Sequence, residues 1–176
     1  MLGVKTKKNL EDAFAGESMA RNKYDYFASV FRKAGYEQIA NFFTETALNE
    51  KEHAKIWAKQ LGIISPDLAE NLKAAVAGEN YENTTMYPMM EKDALEEGHP
   101  DIAKLFKEIG EVEKAHEARY RKLLANLEKG EVFKKPEVKK WKCLNCGAIY
   151  EGTEPPKVCP ACLHVQGYFE VWVETY

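Results

Sequence analysis

The sequence predicts an all-α four-helix bundle, built from two repeated helical hairpins, followed by a small β-rich domain that folds around a metal. Three observations carry this. Four long stretches with apolar residues three or four apart occupy residues 6 to 130. The second half of that region repeats the first. All four Cys lie between positions 143 and 162, as two Cys-x-x-Cys pairs. The expected organisation is a bundle over residues 1–130, a linker over 131–139 and a metal domain over 140–176.

The first apolar stripe is Leu10, Phe14, Glu17, Tyr24, Phe27 and Phe31. The second is Ile39, Phe43, Glu50, His53, Trp57 and Leu61. The third is Leu72, Val76, Glu79, Glu82, Met86 and Met90. The fourth is Ile102, Phe106, Ile109, Glu113, His116, Tyr120, Leu123 and Leu127. Gly35, Gly62, Gly98 with Pro100, and Gly130 fall where helices can end. Ser65-Pro66 reads as the start of the third helix, with Pro at its first position. Pro88 sits inside the third stretch and cannot donate to residue 84, so a kink or distortion is expected just after Glu79 and Glu82.

Residues 35–55 align without gaps on residues 98–118. Gly35 meets Gly98, Ile39 meets Ile102, Phe43 meets Phe106, Glu50 meets Glu113, and His53 meets His116. One residue of slack then aligns Ala15-Gly16-Glu17 with Ala77-Gly78-Glu79.

Each stripe carries acidic groups near its middle, where a carboxylate costs several kcal/mol unless it is paired, neutralised or metal-bound. A Glu from each of two helices, with Glu-x-x-His from each of the other two, is the donor set of dinuclear carboxylate bundles. Carboxylates suit hard cations and imidazole suits iron. Glu17, Glu50, His53, Glu79, Glu82, Glu113 and His116 are too many donors for one tetrahedral zinc, so two metals are expected. Glu82 has no repeat partner, because Ala20 stands at the matching place; it makes the two metals inequivalent. Tyr24 and Tyr87 lie on or beside these stripes, placed to hydrogen-bond ligands or to fill the core.

Cys143, Cys146, Cys159 and Cys162 supply four thiolates for one zinc or iron. So small a unit needs a metal to fold. Trp141, Tyr150, Tyr168, Phe169 and Trp172 are enough aromatics to wall the sulfurs from water, which favours a redox iron. His164 reads as a surface residue, and His99 as exposed.

A net charge of −3 offers no footprint for nucleic acid or an anionic membrane. The N-terminus lacks the apolar core of a signal peptide. No apolar run approaches the ~20 residues of a membrane span. A cytoplasmic location is expected, where Cys favour metal over disulfide.

The segments AGES, NEKEHAK, AGENYENTTMYP, EVEKAHE and CLNCG…CPAC, in that order, closely resemble rubrerythrins, and the C-terminal part is similar to rubredoxin. The resemblance implies a ferritin-like bundle holding two irons and a rubredoxin-like domain holding one. Glu50 and Glu113 would bridge the pair. Glu17 and Glu82 would complete the first iron, with His53 as its alternative ligand as the oxidation state changes. Glu79 and His116 would complete the second. Tyr24 and Tyr87 match the family's tyrosines beside the centre. The implied activity is reduction of hydrogen peroxide to water, with electrons from NAD(P)H passing through a separate reductase and the four-cysteine iron. The implied assembly is a homodimer or higher homo-oligomer, with helix exchange between subunits possible. Leu163 departs from the Gly of simple rubredoxins and puts the local backbone turn in question. A ferroxidase that handles iron and a zinc-ribbon binding module are the competing readings.

Overall fold

The computed structural model describes residues 2–175. The chain divides into two compact units, Met1–Pro66 and Asp67–Tyr176. The first is a helical hairpin of α1 (Val4–Lys33) and α2 (Glu37–Gln60). The second holds α3 (Leu68–Tyr81), a π-helical turn (Glu82–Met86), α4 (Tyr87–Glu96) and α5 (Pro100–Glu128), then a small antiparallel sheet. The third apolar stretch is therefore one long helical segment interrupted by a π-turn. The four long helices are those the periodicity predicts.

Helix ends follow from glycine. Gly35, Gly62, Gly98 and Gly130 all have φ between +68° and +85°. Each closes its helix with the same pair of bonds, as in Gly35 N–H to Arg32 O and Tyr36 N–H to Phe31 O. The start of α3 differs from the expectation. Leu68, not Pro66, is its first residue, and Asp67 is the cap: its Oδ1 accepts the N–H groups of Ala69 at 2.8 Å and Glu70 at 3.4 Å. Asp is the stronger choice, because it caps two orphan donors and places a negative charge at the positive end of the helix.

In the first unit the side chains fully buried between the helices are alanines: Ala28, Ala40, Ala47, Ala54 and Ala58. Phe43 lies among Tyr24, Phe27 and Phe31, with ring centroids at 5.8, 5.7 and 5.5 Å. In the second unit the repeat-equivalent pair, Tyr87 and Phe106, lies at 6.2 Å.

The π-turn explains the slack in the repeat. The offset is 62 at Glu17 and Glu79, but 63 at Tyr24 and Tyr87. Seven residues separate Glu17 from Tyr24, so at ~100° per residue the two lie within about 20° on one helix face. Eight residues separate Glu79 from Tyr87, and a regular helix would swing Tyr87 about 80° off that face. The π-turn absorbs the extra residue, and Tyr87 N–H bonds the Glu82 carbonyl five residues back. Tyr87 returns to the face of Glu79 and Glu82. The distortion expected from Pro88 is thus a π-turn ending just before it.

In the tail, β1 (Lys139–Cys143) pairs antiparallel with both β2 (Ile149–Gly152) and β3 (Phe169–Val171), in the order β2-β1-β3. Trp141 is fully buried on the central strand, packs with Cys143, Cys159 and Phe169, and donates its indole N–H to the Gly152 carbonyl at 2.9 Å. Among the described residues no helix is long and apolar enough to cross a membrane.

Candidate metal centres

Among the described residues three clusters of candidate metal-binding side chains stand out: Glu17 with Glu50 and His53; Glu79 with Glu113 and His116; and the four Cys. Within each, ligand atoms lie within 4.8 Å of one another.

The two Glu–Glu–His triads are built alike. An i,i+3 spacing puts Glu50 and His53 on one face of α2, and Glu113 and His116 on one face of α5. His53 Nδ1 is 2.8 Å from Glu50 Oε2, and His116 Nδ1 is 2.8 Å from Glu113 Oε2. The partner helix adds the third group: Glu17 Oε2 at 3.8 Å from His53 Nδ1, and Glu79 Oε2 at 3.5 Å from His116 Nδ1. The Glu50 and Glu113 side chains are only 16% and 15% exposed.

Carboxylates so close compete for a proton. Glu17 is raised above the usual carboxylate range, first by its hydrogen bond to Glu50 and then by burial, while Glu50 is lowered by the same bond. Glu79 is raised by burial and then by Glu113. A cation in place of the shared proton would relieve this repulsion in both triads. Half-buried oxygens with one imidazole are a suitable donor set for iron. Among the described residues the buried Trp57 indole N–H has no acceptor in hydrogen-bond geometry, though its approach weakly favours the charged form of Glu17.

Glu82 is half-buried on the π-turn, outside the triad. Its charge raises both Glu79 and Tyr87. Burial raises the Tyr87 phenol most, followed by Glu113 and Glu82. Gly110 of α5 makes room for this tyrosine, since a Cβ at 110 would sit 3.2 Å from Tyr87 Cβ. The Tyr24 ring rests on Phe43 and Phe27.

A network absent from the sequence reading flanks the second triad. Glu117 Oε1 accepts Asn80 Nδ2 at 3.1 Å and Arg121 Nε at 2.7 Å, and Glu117 Oε2 accepts Asn83 Nδ2 at 2.8 Å. Asn83 and then Arg121 hold the Glu117 carboxyl below its usual range. Its residues lie on two helices, and only the pairing of α3 with α5 unites them.

The four sulfurs fit one tetrahedral ion. Cys143 Sγ lies 3.7 Å from Cys162 Sγ, and Cys146 Sγ lies 3.7 Å from Cys159 Sγ. Metal–sulfur bonds of ~2.3 Å in a tetrahedron give an edge of about 3.8 Å, whereas a disulfide needs ~2.05 Å. The two turns match: Cys143 N–H bonds Ala148 O, and Cys159 N–H bonds His164 O. The aromatic wall is narrower than expected. Trp141 and Phe169 seal Cys143 and Cys159, but Cys146 is exposed and Cys162 half-buried. Tyr168 is exposed, and Trp172 packs under Lys140 instead. His164 is half-buried, edge-on to Tyr168 at 4.5 Å with Nδ1 3.1 Å from Cys162 O. His99 is exposed at the start of α5.

Fold and donors together define a ferritin-like carboxylate di-iron protein joined to a four-cysteine iron domain. The family model for rubrerythrin matches residues 8–124, and that for the rubredoxin-like domain of rubrerythrin matches residues 141–170. The chain is 49% identical to rubrerythrin-1 of Clostridium acetobutylicum, over 99% of its own length and 97% of that protein. It is equally similar, over the same shares, to rubrerythrin of Clostridium perfringens. A solved structure of nigerythrin in a partially reduced state aligns with 98% of this chain and 88% of its own, at 30% identity and a TM-score of 0.37. The chain belongs to the rubrerythrin family. It is an oxidoreductase with a di-iron site of Glu and His ligands and a rubredoxin-like iron site.

Proposed function

We propose that the chain is a non-haem di-iron peroxidase that reduces hydrogen peroxide to water in defence against oxidative stress. Electrons come from NAD(P)H through a separate reductase and enter at the four-cysteine iron. The observation that carries the reading is the pair of repeat-equivalent triads, each with a 2.8 Å Glu–His contact, in one chain with a tetrahedral cysteine set.

On this reading residues 1–130 reduce peroxide, 131–139 link, and 140–176 relay electrons. Glu50 and Glu113 would be the ligands shared by the two irons, Glu17 and Glu82 would serve the first, and Glu79 and His116 the second, with His53 as the alternative to Glu82. Such a pair would supply both electrons for reducing hydrogen peroxide, which with two protons gives two waters. Glu82, which has no repeat partner, offers a second carboxylate on one side only. Tyr87, whose pKa burial and its acidic neighbours push further up, would donate a hydrogen bond toward the centre; Tyr24 is its counterpart. Cys143, Cys146, Cys159 and Cys162 hold the relay iron, and exposed Cys146 is the side from which a reductase transfers electrons.

The chain is proposed to act in the cytoplasm as a homodimer or higher homo-oligomer. In the first unit Phe27, Ile39 and Phe42 are exposed while alanines occupy the buried positions. Such large exposed apolar groups support a partner copy.

Stopped-flow mixing of the anaerobically reduced, iron-loaded protein with peroxide tests the function. One peroxide should be consumed per iron pair, and Glu82→Ala should keep both irons but re-oxidise markedly more slowly. An unchanged rate in Glu82→Ala contradicts the role of Glu82. Oxidation and retention of many added irons per chain, without peroxide turnover, favours iron handling instead.

A further inference from the structure

The π-turn is long-lived only if something prevents it from relaxing to a regular helix. A regular helix is the better-bonded state, so a π-turn persists where surrounding contacts fix it. Here those contacts are visible. Two side chains of the turn bond carbonyls four residues back: Asn83 Nδ2 to Glu79 O at 2.7 Å, and Thr84 Oγ1 to Asn80 O at 2.6 Å. Ser18, Thr44 and Thr46 make the hydroxyl version of this bond in regular helices, so the Asn83 amide is what sets the turn apart. The same Asn83 amide uses its other hydrogen on Glu117 Oε2 at 2.8 Å. Asn80, one turn earlier, donates to Glu117 Oε1 at 3.1 Å. Arg121 anchors that carboxylate from one turn further along α5. The Glu117 side chain is 12% exposed.

The repeat supplies an internal comparison. At the offset of 63, Glu117 and Arg121 correspond to Ala54 and Ala58, which are buried in the first unit. There α1 runs as an uninterrupted helix from Val4 to Lys33. The acidic clamp and the π-turn occur in the same half and are missing together from the other.

We propose that Glu117 is a positioning residue, a clamp on α5 that grips Asn80 and Asn83 and so holds the π-turn that presents Glu82 and Tyr87 on the Glu79 face. The clamp touches neither substrate nor metal. It acts through the backbone: Asn83 joins the clamp directly to the carbonyl of Glu79. Releasing it lets the turn sample the regular helix, in which Tyr87 rotates away and Glu82 loses its fixed relation to Glu79. The inference rests on the proposed roles of Glu82 and Tyr87, but its structural half stands without them.

The test uses the full-length protein with Glu117→Ala, Glu117→Gln and Asn83→Ala. Hydrogen–deuterium exchange by mass spectrometry is read over residues 82–88, with residues 20–26 of α1 as the internal control. In both metal-free and iron-loaded protein, Glu117→Ala and Asn83→Ala should exchange about tenfold faster or more over 82–88, with α1 unchanged. Glu117→Gln, which keeps one acceptor oxygen, should fall between. In the iron-loaded variants the absorption of the oxidised di-iron centre should shift, and re-oxidation by peroxide should slow, while the four-cysteine iron keeps its spectrum. Parental exchange over 82–88 in both Glu117→Ala and Asn83→Ala overturns the clamp. So does an equal loss of protection in α1, which would mean general destabilisation. If the parent itself fails to turn over peroxide, the functional reading falls, and the exchange data on metal-free protein still decide the clamp.

Discussion

Leu163 holds, at φ +62°, the left-handed backbone that Gly147 holds at φ +78° in the other cysteine turn. Each follows the second Cys of its pair, and each N–H bonds the carbonyl of the first: Gly147 to Cys143 at 2.8 Å, and Leu163 to Cys159 at 2.9 Å. The departure from glycine therefore leaves the turn intact. A residue with a β-carbon adopts this left-handed conformation only under strain.

That strain is measurable. Leu163 is 76% exposed and gains little from packing. Leu163→Gly should stabilise the tail by about 1 kcal/mol. Thermal loss of the iron–thiolate absorption should occur at higher temperature in the variant; an unchanged or lower midpoint contradicts the assignment of strain.

Gly110 poses the opposite case. An exposed Gly→Ala change inside a helix typically gains up to ~1 kcal/mol. Here the new Cβ would meet Tyr87 Cβ at 3.2 Å, and overpacking costs about 1–3 kcal/mol. Gly110→Ala should lower the melting temperature of the metal-free protein. An increase would show that the Tyr87 backbone yields freely.

Glu79 carries a pH signature. Its carboxyl is raised above its ordinary value of 4.5 by burial and by Glu113. A carboxyl raised by folding supports the fold below its unfolded pKa, and that support is lost as pH rises through the folded value. Metal-free Glu79→Gln should thus melt with the parent near pH ~4 and progressively above it as pH approaches ~7. Circular dichroism melts across this window check the sign; a flat or reversed difference contradicts it.

Much of this was legible before folding, because the signals are periodic. Stripes with a period near 3.6 mark the helices, glycines mark their ends, and the i,i+3 spacing of Glu50 with His53 sets a shared face. The one-residue slack between Glu17 and Glu79 carried the π-turn, and Pro88 marked its neighbourhood. Neither states the kind of distortion, which depends on donors such as Asn83 finding carbonyls. The Glu117 clamp is invisible in the sequence, since its two asparagine partners lie 34 and 37 residues away with no periodic relation. Asp67 does not stand out because Ser65-Pro66 offers the same local signal two residues earlier. The extent of the aromatic wall is not legible in composition, which counts rings without saying which face inward.

Cys143 is fully buried on β1. Cys143→Ser should abolish turnover with NADH and a reductase, yet chemically reduced di-iron should still react with peroxide. Steady-state and single-turnover assays on one preparation separate the two; retained NADH-linked turnover contradicts relay through the tail.

The two carboxylate–histidine triads are proposed to hold the pair of irons, and Mössbauer spectroscopy with iron analysis on the anaerobically loaded, then oxidised, protein decides it. The expected spectrum is a magnetically coupled iron pair beside a separate four-sulfur iron, with Glu50→Ala and Glu113→Ala each losing the pair and keeping the sulfur site. Four-sulfur iron alone in the parent, or an intact pair in both variants, would contradict it.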